Sequence, residues 1–494
     1  MATDMTYAPK HAIVRRWWTL AVLSTASLMV VLDATVINIA LPRAQLSLGF
    51  STANRQWVIT AYALAFGSLL LLGGRLSDLW GRRNALYIGL TGFAVASAIG
   101  GAAHSFSMLV TARAIQGAFG AVLAPAALAT LTTTFQDPKE RAKAFSIYGA
   151  ITASGAAIGL LLGGALTQWA SWRWCLFINL FFAAIALVGV LLFVIPGKSE
   201  HDTKLDALGA VLGSGGLFFV VYGLSHAVST SWSDVITWGS LVMGLLLLLL
   251  FVKWQQRSKF PLLPLRIVMN RTRGGSLIAL FITSIGIFGI SLFLAYYLQT
   301  TLGYSPLRTG VAFLPLVAAI AFSATMASAR LLAKTGPRPL VPAGMILGML
   351  GTVLFTRLTA HPDYIGHVLP GLIVTGLGLG LIFAPATASA TASIKHSDAG
   401  ATSAMVSTTQ QIGGSMGTSL LNTIAVSATM GVLRHSHPSF TAAAERAYKT
   451  HAILHGYSMA FWWCAIFFGV GALVTFALLE SGVPELEGEL LPLL

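Results

Sequence analysis

The sequence predicts an all-α polytopic membrane protein, on three observations. Of 494 residues, 56% are hydrophobic and only 9% are charged, whereas a soluble domain carries about 25% charged residues. The apolar residues form runs about 20 residues long instead of alternating segments of about 10, which fits membrane-spanning helices and not a β-barrel. The runs are separated by short loops that hold most of the Lys and Arg. Inside hydrocarbon each backbone N–H and C=O must be satisfied within the protein, and a helix does this by itself.

Fourteen spans are expected, over residues 17–40, 54–74, 84–103, 107–134, 143–167, 173–195, 206–227, 234–254, 274–300, 306–331, 340–358, 366–392, 400–432 and 456–480. The first follows "KHAIVRR". Its apolar run is too long for the core of a cleaved signal peptide and lacks a small-residue cleavage site, so it is read as a retained helix. The thirteenth is unusually long and is expected to finish near Thr423. Loops on one side hold 21 basic residues and those on the other hold 8, with Arg113 inside a span completing the 30. Cytoplasmic loops collect Lys and Arg, so both termini are placed in the cytoplasm of a cell membrane. The net charge of +14 is then a matter of topology, not of nucleic-acid binding. Cys175 and Cys464 lie in apolar runs and offer neither a disulfide framework nor zinc spacing.

A repeat divides the chain. "GRLSDLWGRR" (74–83) and "ARLLAKTGPR" (329–338) align without gaps, matching Arg75 with Arg330, Leu76 with Leu331, Gly81 with Gly336 and Arg83 with Arg338. Each follows the second span of a six-span unit. The chain therefore reads as an N-terminal six-helix half (1–200), two inserted helices (201–260) and a C-terminal six-helix half (261–494). Repeats of this kind are typical of secondary transporters, whose site lies between the halves near the midplane.

Two charges lie deep inside spans, Asp33 and Arg113. A carboxylate at the bilayer centre costs about 2.5–3.5 kcal/mol on insertion scales, so its presence points to function. Any proton coupling through a membrane carboxylate must use Asp33. A buried guanidinium needs an acceptor, and Asp33, Gln116 or a carbonyl can serve. Gly155, Gly159 and Gly163 recur every four residues on one helix face, with Gly164 beside them. That face lets a neighbour approach closely, and on a functional reading lets the two halves rock. Gly413 and Gly417 repeat the spacing.

For the substrate cavity the candidates are Tyr62, Gln116, Gln410 and Gln411, with Asn38, Asn179, Tyr296, Tyr297 and Gln299 also to be inspected. Tyr296 and Tyr297 equally suit interfacial anchoring, and Asn38, five residues from Asp33, suits packing. His435, His437, His451 and His455 are expected in an exposed loop before the last span. His451 and His455 have chelating spacing, but a solvated loop is the plainer reading. No phosphate-binding glycine loop and no paired catalytic histidines occur, so no enzyme activity and no metal site is expected.

These motifs together resemble the major facilitator superfamily, and within it the fourteen-helix drug:proton antiporter family. "LDATVINIALP" (32–42) is similar to that family's first-helix signature. "GGRLSDLWGRR" (73–83) is similar to the superfamily loop motif, with Gly74, Asp78, Gly81, Arg82 and Arg83 at its marked positions. "RAIQGAFGA" (113–121) resembles the fourth-helix motif, and "DAGATSAMVSTTQQIGGSMG" (398–417) the entry to helix 13. "GAAIGLLLGG" (155–164) matches the fifth-helix antiporter motif in part, with Gly159-Leu160 where the family carries Gly-Pro. The thirteenth span also lacks the acidic residue some relatives have.

The resemblance implies a proton-coupled exporter of amphipathic or lipophilic, often cationic, drugs that works by alternating access. Asp33 would carry the proton, Arg113 would tune it, and the loop motif would form a cytoplasmic gate. Its partners would be a small amphipathic substrate and the lipid bilayer; it would act as a monomer with no cofactor beyond protons. The rival readings are an exporter dedicated to one metabolite or lipid, and a non-transporting membrane sensor.

Overall fold

Leu, Ala, Val, Ile and Phe fill the long runs, and polar caps mark their ends. A computed structural model describes residues 10–50, 52–196, 205–230, 232–259, 261–327, 331–360, 363–392, 398–434 and 442–482. The first six helices are α1 (Lys10–Leu48), α2 (Thr52–Trp80), α3 (Arg82–Gly101), α4 (Phe106–Thr134), α5 (Pro138–Trp169) and α6 (Trp174–Phe193). Then come α7 (Ala207–Ser229) and α8 (Val235–Gln255), and the short α9 (Leu265–Met269). The remainder is α10 (Arg271–Tyr296), which runs into a π-turn (Tyr297–Thr301), then α11 (Pro306–Ala312), α12 (Leu314–Met326), α13 (Leu332–Thr335) and α14 (Pro337–Phe355). It closes with α15 (Tyr364–His367), α16 (Leu369–Ala390), α17 (Ala399–Leu433) and α18 (Ala442–Leu478).

Side-chain oxygens of Ser105, Asp206, Asp234, Asn270 and Ser305 accept from backbone N–H groups in the first turns of α4, α7, α8, α10 and α11. Each satisfies a donor that a helix start leaves open. Thirteen helices among the described residues are long and apolar enough to cross a membrane. A further helix, α5, holds no Asp, Glu, Lys or Arg over 144–167 and covers the fifth expected span.

The two halves pack alike. In the first, α1 lies on α5 and α6, α2 on α4, and α3 on α4 and α6. In the second, α10 lies on α17 and α18, α12 on α16, and α14 on α16 and α18. The aligned turn glycines agree in conformation. Gly81 has φ 81° and Gly336 φ 72°, a left-handed region that a side chain disfavours. Each forms a one-residue corner before the next long helix. The halves meet where α2 and α4 touch α17 and where α5 touches α12 and α16. The inserted pair stands to one side, with α7 packed on α8, α2 and α17.

Three expectations need correction. The thirteenth span does not end near Thr423 but continues as helix to Leu433, because no proline interrupts it. The last helix starts at Ala442, not near residue 456, so His451 and His455 are exposed positions on α18 and not part of a loop. The loop motif is mostly helix: Gly74, Arg75 and Asp78 lie in α2, and the turn shrinks to Gly81. His435, His437, Arg330 and the side chains of Asn38 and Leu160 lie outside the described residues.

Candidate functional site

Asp33 and Arg113 meet. Arg113 Nη1 donates to Asp33 Oδ2 at 2.5 Å, and both residues are 1% exposed. The same nitrogen donates to Gln116 Oε1 at 2.6 Å, and Arg113 Nε donates to the Val58 carbonyl at 3.3 Å. Asp33 Oδ1 accepts from Gln116 Nε2 and from Asn179 Nδ2, both at 2.7 Å. Ser97 Oγ accepts from the same two amides, at 2.6 and 3.1 Å. The Tyr62 ring covers the far side of the guanidinium, 4.4 Å from its carbon. Five helices of one half thus build a closed polar cluster in an apolar interior.

Small residues bring these helices together. A Cβ on Gly117 would strike the Tyr62 carbonyl, and one on Gly73 would strike the Ala121 carbonyl. Bare backbone at these points lets α2 lie directly on α4, which sets Tyr62 over Arg113, one turn from Gly117. Arg113 and Gln116 are three residues apart and share a helix face. Asp33 faces them from α1, while Ser97 and Asn179 close the cluster from α3 and α6. An ion pair this deep is stable only when its remaining lone pairs and protons are used. Here Gln116 and Asn179 donate to the carboxylate, and Gln116 and the Val58 carbonyl accept from the guanidinium.

The other candidates separate. Tyr62 and Gln116, grouped in the sequence with the cavity, belong to the Asp33 cluster. Gln410 and Gln411 are half-buried on α17, and Gln411 lies against Gly67 of α2, at the meeting of the halves. Tyr297 is buried and donates to the Thr359 carbonyl at 2.8 Å, whereas Tyr296 and Gln299 are exposed. Ser97 escaped sequence reasoning altogether. A serine in a membrane helix is common, and only its fully buried position beside two amides marks it.

At the end of α2, Asp78 points at the start of α17, where its carboxylate lies against Gly400. Gly74 approaches Ala404 and the Gly400 carbonyl. Arg82 donates to Thr133 Oγ1 at 3.2 Å, and Arg83 donates to the Leu191 carbonyl at 2.9 Å. The motif therefore has two jobs. Its arginines tie α3 to α4 and α6, and its carboxylate and first glycine touch the opposite half.

The glycine stripe of α5 packs tightly, but not between the halves. Gly155 lies on Leu28 and Val31, Gly159 on Leu32 and Thr35, and Gly163 on Val36, all of α1. Gly164 is buried beside them. Gly413 and Gly417 pack the same way on Phe281, Ser284 and Ile285 of α10. A small-residue face fixes how near a neighbour comes, not which neighbour it is. Among the described residues, no group of three or more His, Cys, Asp or Glu is placed to hold a metal ion.

Comparison with known proteins extends this picture. Residues 23–418 match the family model described as Major Facilitator Superfamily. The chain is 46% identical to a puromycin resistance protein of Streptomyces alboniger, covering 94% of this chain and 90% of that one. It is 36% identical to a cephamycin export protein of Amycolatopsis lactamdurans, covering 82% and 84%. A multidrug efflux pump of Mycolicibacterium smegmatis is 30% identical over 83% of this chain and 81% of its own. Among solved structures, a human organic anion transporter superposes with a TM-score of 0.64 at 15% identity, covering 93% of this chain and 99% of that one. At that identity the match speaks for the fold alone. With mirrored halves, an inserted helix pair and a match over most of its length, the chain belongs to the major facilitator superfamily.

Proposed function

We propose that the chain is a proton-coupled secondary exporter of amphipathic or lipophilic, often cationic, compounds. It works by alternating access in the cytoplasmic membrane, as a monomer, with both termini in the cytoplasm and protons as the coupling ion. The Asp33–Arg113 pair carries the reading. It joins the acid and the base that the sequence sets well inside the expected spans, at 2.5 Å and with both 1% exposed. A buried carboxylate is a group that can take and release a proton as its surroundings change. The names of the relatives, resistance or export proteins, support the outward direction.

The contact of Asp78 with the first turn of α17, and of α5 with α12 and α16, supports a conformer closed on the side of the loop motif. Breaking these contacts while forming others on the far side is the rearrangement that alternating access requires. Gln410 and Gln411, at the meeting of the halves, are the substrate contacts we infer. A single deep carboxylate in an apolar interior suits lipophilic monocations or neutral compounds. Two of the relatives are named for a single antibiotic and one for many drugs, so an exporter dedicated to one compound is the second reading.

The test is transport in proteoliposomes with an imposed pH gradient, against a panel that includes puromycin, a cephamycin and lipophilic cations. Uptake of one compound alone selects the dedicated exporter. Asp33→Asn should abolish gradient-driven transport while leaving the protein inserted. Full gradient-driven transport by that variant would sink the mechanism, and no substrate-stimulated proton flux in the parent would favour a sensor.

A further inference from the structure

Among the described residues, every group that touches the Asp33 carboxylate donates to it. Arg113 Nη1 meets Oδ2, and Gln116 Nε2 and Asn179 Nδ2 meet Oδ1. This arrangement fits the charged carboxylate. It leaves nothing to receive the O–H of the neutral acid, and a buried donor without an acceptor is costly. Two amide oxygens are near enough to serve. Gln116 Oε1 is taken by Arg113 at 2.6 Å. Turning Gln116 over would aim its NH2 at the guanidinium, donor against donor.

Asn179 is under no such constraint. It is 0% exposed, and its Oδ1 has no hydrogen-bond partner among the described residues. Its Nδ2 faces Asp33 Oδ1 at 2.7 Å and Ser97 Oγ at 3.1 Å. A half-turn about the terminal torsion exchanges the two amide atoms. The oxygen then faces Asp33 and Ser97. Ser97 can rotate its hydroxyl to donate, because a hydroxyl is both donor and acceptor. Both contacts survive with their polarity reversed, and the cost is that the NH2 moves to the place where Oδ1 now has no hydrogen-bond partner among the described residues.

We propose that Asn179 is a positioning residue that matches the cluster to the protonation state of Asp33, donating to the carboxylate and, with its amide reversed, accepting from the acid. The added proton stays on Asp33 Oδ1, and no other group changes charge. Arg113 keeps Gln116 Oε1, the Val58 carbonyl and the Tyr62 ring throughout. The titratable groups facing Asp33 are Tyr62 from α2, Arg113 from α4 and Cys175 from α6. Arg113 has only donors, the Cys175 thiol is engaged with Thr167 and Gly163, and the Tyr62 hydroxyl makes no hydrogen bond to Asp33. The inference rests on the proton reading given above and deepens it.

Infrared difference spectra of the full chain in lipid vesicles, acidic minus alkaline, test it. A carboxylic-acid carbonyl band that is lost in Asp33→Asn marks the protonated Asp33. In Asn179→Ala this band should move to higher wavenumber, because its O–H has lost an acceptor. An asparagine carbonyl change, identified by isotopic labelling, should disappear with it. Asn179→Ser, whose hydroxyl can donate or accept, should return the band toward the parental position. A band unmoved in Asn179→Ala, with its Asp33 assignment intact, overturns the role of Asn179 and leaves the proton reading standing. If no band is lost in Asp33→Asn, the proton reading falls and the inference with it. Should Asn179→Ala fail to fold, the labelled parent decides: no asparagine carbonyl change on acidification overturns the proposal.

Discussion

Gly400, in the first turn of α17, lies against the Asp78 carboxylate and the Gly74 carbonyl, so two helices from opposite halves touch where each offers a glycine. The start of a helix carries partial positive charge on its open N–H groups, and a carboxylate there gains about 0.3–2 kcal/mol. Gly400→Val should push α2 away from α17 and largely stop export, with insertion unchanged. Asp78→Asn should weaken the same contact by no more than that helix-end term. Distances between spin labels on the ends of α2 and α17 report both. A parental distance in Gly400→Val would count against this contact as a gate.

Arg113 should be needed for stability as well as for transport. Arg113→Ala leaves Asp33 buried and uncompensated, a loss of about 3–5 kcal/mol. Arg113→Lys keeps the charge, but a single ammonium cannot reproduce the guanidinium's bonds to Asp33, Gln116 and Val58. Thermal unfolding in detergent should rank parent, then Lys, then Ala. Adding Asp33→Asn to Arg113→Ala removes the orphaned charge and should recover part of the loss. No recovery would mean that the pair is not energetically coupled.

Tyr62 separates ring from hydroxyl. Its ring covers Arg113, while its buried hydroxyl has no hydrogen-bond partner among the described residues. Tyr62→Phe keeps the ring and removes only the unpaired group, so transport should be close to parental. Tyr62→Leu removes a cation–π contact of about 2 kcal/mol when desolvated, and export should fall. If Phe were as damaging as Leu, the hydroxyl would be the working part, as a substrate contact would require.

Asp206 precedes the α7 span and anchors the inserted pair. Burial pushes its carboxyl up, but the Gly209 N–H, Trp254, Gln255 and Ser258 all hydrogen-bond to it and hold it below the ordinary carboxylate range. A carboxylate with a depressed value stabilises the fold above its unfolded range and loses that stabilisation as pH falls through its folded value. Asp206→Asn should therefore lower the melting temperature at neutral pH. The gap between variant and parent should narrow as pH drops below about 4, the unperturbed Asp value. A gap that is constant with pH would assign the loss to packing.

Asp33 and Arg113 were legible in the sequence because each is the one charge of its sign set well inside an expected span, away from the ends. Arg113 needed an acceptor, for which Asp33, Gln116 or a carbonyl could serve, and it donates to one of each: Asp33, Gln116 and the Val58 carbonyl. Ser97 and the orientation of Asn179 were not legible, because their meaning comes from four neighbours on other helices. The turn at Gly81 was foreseen from its glycine, yet Asp78 proved to be helical and turned toward α17. The α5 stripe announced close packing. Its neighbour, α1 rather than the opposite half, is a property of topology that spacing does not carry. The start of α18 was missed because Ala442–Tyr457 mixes charged, polar and apolar residues, and hydropathy marks only the part of a helix inside the lipid.

The glycine stripes of α5 and α17 have a consequence for the transport cycle. Both lie inside a half, on α1 and α10, so if the halves rock as units, as proposed, these tight contacts keep their partners and cancel from the difference between conformers. Their contribution sets whether the protein folds, not how fast it turns over. Kinetics can then be tuned at the α2–α17 and α5–α12 seams with little cost to assembly. Substitutions in the stripes should register as lost yield, and substitutions in the seams as altered rate.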